Sequence, residues 1–272
     1  MKRSYLFVPG NRPERYAKAL AAGADAVIID LEDAVAPADK DSARQSLRGW
    51  LAPEHPVLVR INSSDTAWFA DDLALAGLPG VAGVILPKAE KAADIERLMQ
   101  QGAPAVLPLI ESALGFYNAL ELARQPGVLR LLFGSIDFSV DLGITEGVEE
   151  LQYFRSQLVL VSRLAGIQPP VDGVTTTLDD VPRITEDSRR TRRNGFGAKL
   201  CIHPRQVAHV NAAFAPSAEE TAWAKRVLEA AENSDGAAVA VDGRMVDRPV
   251  ILQAQAIMDE VRRRQASPDG GG

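Results

Sequence analysis

The chain has 272 residues, of which 46% are hydrophobic, and a formal net charge of −6 at pH 7. This size suits one large core, and the acidic balance, with arginines scattered along the chain, argues against a nucleic-acid partner. No apolar segment approaches the roughly 18 residues that cross a membrane, and the apolar run before Pro9 is too short for a signal peptide, so we expect a cytoplasmic protein with no membrane partner.

Short apolar runs typical of β-strands alternate with helical stretches along most of the chain. The strand candidates are Tyr5–Val8, Ala26–Ile29, Val57–Ile61, Gly83–Leu86, Ala105–Ile110, Leu129–Phe133, Val171–Val174 and Ala198–Ile202. The helical segments between them include Arg12–Ala22, Ala92–Gln100, Ala113–Arg124 and Glu149–Ala165. This alternation predicts right-handed βαβ units, and eight repeats favour a closed (β/α)8 TIM barrel of the α/β class.

An open, doubly wound sheet is the alternative fold. The first predicted strand runs into Pro9, Gly10 and Asn11 rather than into a G-x-G-x-x-G motif, which weakens that alternative. After the eighth strand, two more helical segments, Ala218–Ala231 and Val250–Arg264, exceed what a barrel needs. We therefore predict a catalytic barrel domain over residues 1–231 and a C-terminal helical extension over residues 232–272, of which Ala266–Gly272 reads as a frayed end.

Polar side chains follow most of the predicted strands. Barrel enzymes carry their catalytic groups at the carboxyl ends of the strands, so we expect these side chains to converge on one face. They are Asp30, Glu32, Asp33, Arg60, Asn62, Lys88, Glu111, Asp137 and His203. For Asn62 or Lys88 taken singly, a strand end that merely meets solvent is an equally good interpretation, and His203 would either orient a ligand or cap the strand end.

Two carboxylates carry the chemical prediction. Glu111 and Asp137 both leave apolar strands, where an unpaired buried carboxylate would cost several kcal/mol, so a cation should lie between them. Arg60, Lys88 or a metal would serve, and oxygen ligands completed by waters favour Mg²⁺. Three histidines without an H-E-x-x-H motif disfavour zinc, and the single cysteine, Cys201, lies in an apolar run where a buried inert thiol is expected.

This set of residues predicts chemistry next to a carbonyl group. A Mg²⁺ held by Glu111 and Asp137 would chelate a 2-oxo acid, and Arg60 would neutralise the charge of an enolate or alkoxide, as in an aldol or Claisen lyase. A Schiff base on Lys88 ranks second, because acidic neighbours would keep that lysine protonated. Gly134 and Ser135 would let backbone N–H groups approach a substrate carboxylate, although a plain tight turn is an equal alternative.

Seven short segments, in this order, together resemble the citrate lyase beta-subunit-like family of the HpcH/HpaI aldolase and malyl-CoA lyase superfamily. They are Phe7–Arg15, Ile29–Val35, Val59–Asn62, Leu86–Lys88, Leu109–Glu111, Gly134–Asp137 and Cys201–Pro204. The resemblance implies a TIM barrel that forms trimers or hexamers, Mg²⁺ bound by Glu111 and Asp137, and substrate contact by Arg60. It also implies cleavage of a 3-hydroxyacyl-CoA such as citramalyl-CoA, malyl-CoA or citryl-CoA into an acyl-CoA and a 2-oxo acid.

The resemblance also implies roles outside this centre. Asp247 looks like the catalytic aspartate that a C-terminal lid carries into the site of a neighbouring subunit; the alternative is a turn residue between helical segments. Arg12, Arg15 and Lys40 would meet the phosphates of coenzyme A, although solvated charges at helix starts would look identical. Among the acidic residues of the second strand, Glu32 is our first choice for positioning Arg60 or the waters of the metal.

Three activities remain open at this point. The leading hypothesis is a Mg²⁺-dependent carbon–carbon lyase with Arg60, Asp247 and Glu32 as its catalytic set. A malyl- or citramalyl-CoA thioesterase, or a malate-synthase-like condensing enzyme, would use the same scaffold. A citrate lyase beta subunit would act only on a substrate bound to an acyl carrier.

Overall fold

The computed structural model describes residues 2–145, 149–233 and 239–266. The chain forms two compact units, Met1–Phe214 and Ala215–Gly272. Within the described ranges, no helix combines the length and the apolar character that a membrane span requires.

Eight parallel strands of the first unit pair in chain order and close into a barrel. They are β1 (Ser4–Pro9), β2 (Ala26–Asp30), β3 (Val57–Arg60), β4 (Val81–Leu86), β5 (Val106–Ile110), β6 (Leu132–Phe133), β7 (Val171–Asp172) and β8 (Ala198–Cys201). Every residue of β2, β3 and β5 is buried, which explains why these strands are continuous apolar runs rather than alternating ones. The predicted TIM barrel is confirmed, with one strand in each predicted segment.

Helices of the first unit follow the strands around the barrel. They are α1 (Tyr16–Leu20), α2 (Lys40–Trp50), α3 (Phe69–Leu73), α4 (Ala92–Gln100), α5 (Ala113–Tyr117), α6 (Ala119–Ala123), α7 (Ser135–Leu142), α8 (Gln152–Ala165), α9 (Val181–Arg193) and α10 (Pro204–Ala213). The single helix predicted over Ala113–Arg124 is two helices. Asn118 interrupts it with φ −88° and ψ 2°, and its side-chain amide donates to the carbonyl of Glu90 at 2.9 Å.

Two apolar layers hold the barrel together. Alternate strand residues such as Tyr5, Ile28 and Leu107 fill the barrel interior, while their chain neighbours pack outward against the helices. Cys201 belongs to the outer layer and is fully buried. Burial raises the pKa of its thiol to about 12, so the expected inert cysteine is confirmed.

The second unit is a helical hairpin with a small sheet. It contains α11 (Ala218–Glu232), β9 (Val239–Val241), β10 (Arg244–Val246) and α12 (Arg248–Ala266). Its core gathers Ala224 and Val227 of α11 with Val246 and Ala254. This unit begins at Ala215, whereas the sequence prediction placed the boundary after residue 231, and α11 buries its apolar face within it. The frayed end predicted from Ala266 onward lies, from residue 267, outside the described residues.

Candidate active site

A cavity of about 380 Å³ lies at the carboxyl ends of the barrel strands. Its apolar lining residues include Phe7, Leu109, Phe133, Val174, Leu200 and Ile202. Its polar lining residues are Asp30, Asp33, Arg60, Glu111, Ser135 and Asp137. The structure thus brings together most of the strand-end residues that the sequence indicated.

Arg60, the last residue of β3, is the centre of a buried ion network. Its Nε and Nη2 atoms donate to the two carboxylate oxygens of Asp30, at 2.7 and 2.6 Å. Its Nη1 atom lies 2.8 Å from Glu32 Oε2 and 3.5 Å from Asp33 Oδ2. The guanidinium stacks over the ring of Phe7, 4.8 Å from the centroid. Although burial opposes the charge, these carboxylates, Asp30 first, raise the pKa of Arg60, so it stays charged in a fixed orientation.

Glu32 is the least satisfied member of this network. Only 7% of it is exposed, and its Oε2 atom has no aligned hydrogen-bond partner among the described residues despite the nearby Arg60. Burial is the main reason that the pKa of Glu32 rises to about 7. A carboxyl group with that pKa exchanges protons near neutral pH, and its Oε2 atom, paired with Arg60 by charge alone, can still accept a hydrogen bond from a water.

Glu111 follows β5, is 5% exposed, and is held from two sides. Its Oε1 atom accepts the backbone N–H of Lys88 at 2.7 Å. On the other side is Gly134, where a Cβ atom would lie only 2.6 Å from Glu111 Oε2. Burial first, and then the negative charges of Glu32 and Asp137, raise the pKa of Glu111 to about 8. A cation placed here would relieve that repulsion.

Asp137 lies in the first turn of α7 and lines the same cavity as Glu111. Two carboxylates of like charge that line one cavity suit Mg²⁺, which commonly takes one or two protein carboxylates and keeps several waters. Across residues 2–145, 149–233 and 239–266, no group of three or more His, Cys, Asp or Glu side chains is arranged to hold a metal. The fit to Mg²⁺ therefore rests on this pair.

Gly134 and Ser135 form the junction between β6 and α7. A side chain at Gly134 would collide with Glu111, so glycine is required by close approach rather than by a turn. Ser135 is buried, and it is the first residue of α7, where backbone N–H groups have no partner within the helix. The predicted contact of this junction with a substrate carboxylate stays a prediction.

Lys88 has an unusual backbone. Its φ is +45°, and Asp242 is the other non-glycine residue with positive φ in the described part of the chain. Such a conformation stores about 1–3 kcal/mol of strain in a residue with a Cβ atom. The Lys88 side chain itself is exposed. The polar strand end was visible in the sequence, but nothing there indicated the strained conformation.

Lys40 does not face solvent as a phosphate-binding lysine would. It is 6% exposed, and its Nζ atom donates to the carbonyls of Leu31 and Glu32 at 2.7 and 2.8 Å. Its ammonium group also lies 5.2 Å from the centroid of the Trp68 ring. The alternative of a solvated charge at a helix start does not hold for Lys40, because the loop after β2 has carbonyl groups that need a donor. The predicted contact of Lys40 with a coenzyme A phosphate stays a prediction.

Arg12 and Arg15 remain exposed after β1, and each approaches Glu14: Arg12 Nε donates to it at 2.9 Å, and Arg15 Nε lies 3.9 Å from the same carboxylate oxygen. Exposed pairs of this kind hold a side chain only weakly. Either arginine is therefore available to an anion, and the predicted contact with coenzyme A phosphates is untested.

Three other predicted residues have local partners. Asn62 donates its side-chain amide to Asp72 Oδ2 at 2.6 Å, and His203 Nδ1 accepts the N–H of Arg205 at 3.2 Å as the N-cap of α10. Asp247, in the second unit, accepts the N–H of Val250 at 3.3 Å at the start of α12. These contacts fit the turn-and-cap interpretation, and the catalytic role of Asp247 remains a proposal.

Sequence reasoning missed the apolar side of the site. Phe7 was quoted within a family segment, yet its stacking on Arg60 was not foreseen. The signal was present, because Phe7 shares the inward face of β1 with Tyr5, two residues earlier.

Comparison with known proteins agrees with this geometry. The family model for HpcH/HpaI aldolase/citrate lyase matches residues 3–204. A citrate lyase subunit beta-like protein of Mycobacterium tuberculosis is 41% identical over 263 residues, which cover 93% of each chain. A (3S)-malyl-CoA thioesterase of Cereibacter sphaeroides is 33% identical over 268 residues, covering 93% of this chain and 92% of that protein.

Solved structures point the same way. The crystal structure of CitE from Mycobacterium tuberculosis in complex with magnesium, acetoacetate and coenzyme A matches with a TM-score of 0.87 and 38% identity. The match covers 96% of this chain and 98% of that one. The chain therefore belongs to the HpcH/HpaI aldolase/citrate lyase family and is an enzyme of the lyase type.

Proposed function

We propose that the chain is a Mg²⁺-dependent carbon–carbon lyase that cleaves a short 3-hydroxyacyl-CoA into an acyl-CoA and a 2-oxo acid. The observation that carries this proposal is the pairing of Glu111 and Asp137 on one cavity with a fixed, charged Arg60. Carboxylates that suit a hard cation, next to a rigid guanidinium, match the oxygen-rich half of such a substrate. The CitE structures that contain magnesium with pyruvate or with acetoacetate support the same assignment.

In this proposal Glu111 and Asp137 hold the metal ion. When bound there, Mg²⁺ supplies Lewis-acid stabilisation for the carboxylate and carbonyl oxygens of the 2-oxo acid. Arg60, immobilised by Asp30, offers its charge to the oxygen that becomes the carbonyl oxygen. The backbone N–H of Ser135, at the start of α7, receives the substrate carboxylate. The N–H of Gly134 already donates to the carbonyl of Ile110 at 2.9 Å, so Gly134 contributes by letting the backbone approach closely.

The bond change needs one proton acceptor and one proton donor. The substrate hydroxyl loses its proton, the electrons of the carbon–carbon bond pass into the thioester as an enolate, and the enolate carbon then takes up a proton. We assign the acid/base role to Asp247 and give Glu32, whose pKa is raised to about 7 by burial, the ordering of waters and of Arg60. We assign Arg12 to the binding of a coenzyme A phosphate. Lys40, whose Nζ atom donates to the carbonyl of Glu32, holds the loop that carries Glu32 in place.

A thioesterase is the second candidate, favoured by the relative named (3S)-malyl-CoA thioesterase. A malate-synthase-like condensation and a subunit that acts on an acyl-carrier-bound substrate remain further alternatives; the citrate lyase beta subunits among the relatives favour the latter. The trimer or hexamer implied by the family resemblance is likewise a proposal, which the mass of the protein in solution would test.

The test is product analysis with purified protein and Mg²⁺. Citramalyl-, malyl- and citryl-CoA are incubated separately, and 2-oxo acid and free thiol are followed in parallel. A lyase releases the 2-oxo acid without free thiol, whereas a thioesterase releases thiol without 2-oxo acid. Inactivity on every free thioester, with turnover of a carrier-bound one, would contradict the proposal and favour the subunit alternative.

A further inference from the structure

Lys88 carries a backbone strain that its main-chain role does not require. The residue follows β4 and Pro87, and its φ of +45° lies in the left-handed region that favours glycine. Asp242, the other non-glycine residue of this kind in the described chain, sits with Gly243 in the two-residue turn of the β9–β10 hairpin. Such turns require positive φ, and aspartate tolerates it, whereas a lysine is unusual there.

The strained backbone of Lys88 positions two main-chain N–H groups for hydrogen bonding. It aims the N–H of Lys88 at Glu111 Oε1, at 2.7 Å, and the next N–H, of Ala89, at the carbonyl of Leu109 at 3.2 Å. The end of β4 is thereby fastened to the end of β5, beside the proposed metal ligand. A glycine would make the same two hydrogen bonds with less strain, so the backbone alone does not explain why this residue is a lysine.

The charges around the cavity suggest what the side chain does. Arg60 is the cation among the residues that line the cavity, and it is already engaged by Asp30, Glu32 and Asp33. Arg60 and a bound Mg²⁺ together carry fewer positive charges than the five carboxylates around them, Asp30, Glu32, Asp33, Glu111 and Asp137, carry negative ones. An anionic substrate that enters this site therefore gains from a further cation. Lys88 is exposed, and among the described residues it forms no ion pair within 4.0 Å, while its charge acts on Glu32 and Asp65.

We propose that Lys88 is a substrate-binding residue: its main-chain N–H orients Glu111, which lines the cavity, and its exposed ammonium group binds the carboxylate of the 2-oxo acid half of the substrate. This inference rests on the proposed function, because the anion it names is that of the proposed substrate. A lysine suits such a contact, since it presents a point charge on a flexible stem.

Calorimetry separates this role from a structural one. Pyruvate in the presence of Mg²⁺, and coenzyme A alone, are each titrated into the wild type, Lys88→Gln, Lys88→Arg and Lys88→Gly. Loss of a charge-assisted contact should weaken pyruvate binding about tenfold in Lys88→Gln and Lys88→Gly. Lys88→Arg should stay near the wild type, and coenzyme A should bind all four proteins alike.

Thermal unfolding of the same proteins supplies a second readout. Lys88→Gly should unfold at a temperature at least as high as the wild type, since relief of the strained φ offsets the entropy of the glycine. Lys91→Gln is the matched control, because Lys91 is an exposed lysine three positions along the chain and the charge change is identical. That variant should bind pyruvate as the wild type does.

Two results would overturn the inference. One is wild-type pyruvate affinity in Lys88→Gln, and the other is a loss that falls on coenzyme A, which would assign Lys88 to a phosphate. Either result leaves the proposed function standing, because the wild type still binds the 2-oxo acid. A wild type that binds no pyruvate with Mg²⁺ would instead count against the proposed function and the inference together.

Discussion

Arg60 and Asp30 form a two-point ion pair between neighbouring strands, with Nε and Nη2 of the arginine 2.7 and 2.6 Å from the two carboxylate oxygens. Both residues end their strands, β3 and β2, and they are partners in the strand register. Two parallel hydrogen bonds fix the plane of the guanidinium as well as its position. The positive charge of Arg60, which we propose stabilises the substrate oxygen, therefore has a fixed position before the substrate binds.

Arg60→Lys should separate charge from geometry. A lysine keeps the positive charge but cannot form the two-point contact with Asp30, so we expect kcat/KM to fall about 10²-fold with little change in thermal stability. Arg97→Lys is the matched control, because Arg97 stacks 4.7 Å from the centroid of Phe69, outside the site. Steady-state kinetics on the best substrate checks this, and an unchanged kcat/KM in Arg60→Lys would remove the arginine from the mechanism.

Gly134→Ala should disturb the metal site directly. The added Cβ would come within 2.6 Å of Glu111 Oε2, so the carboxylate must move and the affinity for Mg²⁺ should fall. Gly49→Ala is the control, since nothing lies within 4 Å of a Cβ there and alanine favours the helix α2. Calorimetric titration with Mg²⁺ measures both variants. Equal affinity in the two would show that Gly134 does not shape the site.

Removal of the metal should make stability depend on pH. Burial raises the pKa of Glu111 to about 8, so without metal the folded chain keeps a proton that the unfolded chain has already released. The free energy of unfolding should then fall as the pH rises from about 5 to about 8. Mg²⁺ needs the deprotonated carboxylate, so its binding should tighten and its stabilisation grow over the same range.

Thermal unfolding in EDTA and in Mg²⁺, across that pH range, measures this effect. The two curves should diverge toward high pH in the wild type and stay parallel in Glu111→Gln. Parallel curves in the wild type would mean that Glu111 does not bind the ion.

Asp247→Asn should distinguish catalysis from helix capping. Asparagine and aspartate are equally good N-caps, so the substitution keeps the contact that Asp247 makes with Val250 at the start of α12. If Asp247 is the acid/base, kcat should fall by about 10²–10⁴-fold while the melting temperature holds. Activity near that of the wild type would show that Asp247 acts only as the N-cap of α12.

The fold was predictable because parallel strands buried on both faces read as continuous apolar runs, as Val106–Ile110 does. The structure of the second unit was less predictable from the sequence. The hairpin of β9 and β10 turns at Asp242 and Gly243, a strong turn signal, but its strands have only three residues each, which is too short for a strand pattern to show in the sequence. The prediction grouped α11 with the barrel, whereas its apolar face packs in the second unit, because an amphipathic helix does not show from its sequence which core it will join.

The features of the site that follow from residue type could be predicted from the sequence. The features that depend on the folded surroundings of a residue could not. Glu111 and Asp137 stand out because each follows an apolar strand. The burial of Lys40 was not visible, because it depends on the carbonyls of Leu31 and Glu32 in the folded loop. The strained φ of Lys88 was hidden for the same reason: a tertiary contact with Glu111 stabilises it.

The central claim is metal-dependent cleavage of a carbon–carbon bond, and product stoichiometry tests it most directly. Protein stripped with EDTA is incubated with citramalyl-CoA, with and without added Mg²⁺, and pyruvate, acetyl-CoA and free coenzyme A are quantified together. We expect equimolar pyruvate and acetyl-CoA only when Mg²⁺ is present, and neither product from Glu111→Gln. Free coenzyme A without pyruvate, or cleavage at the same rate in EDTA, would contradict it.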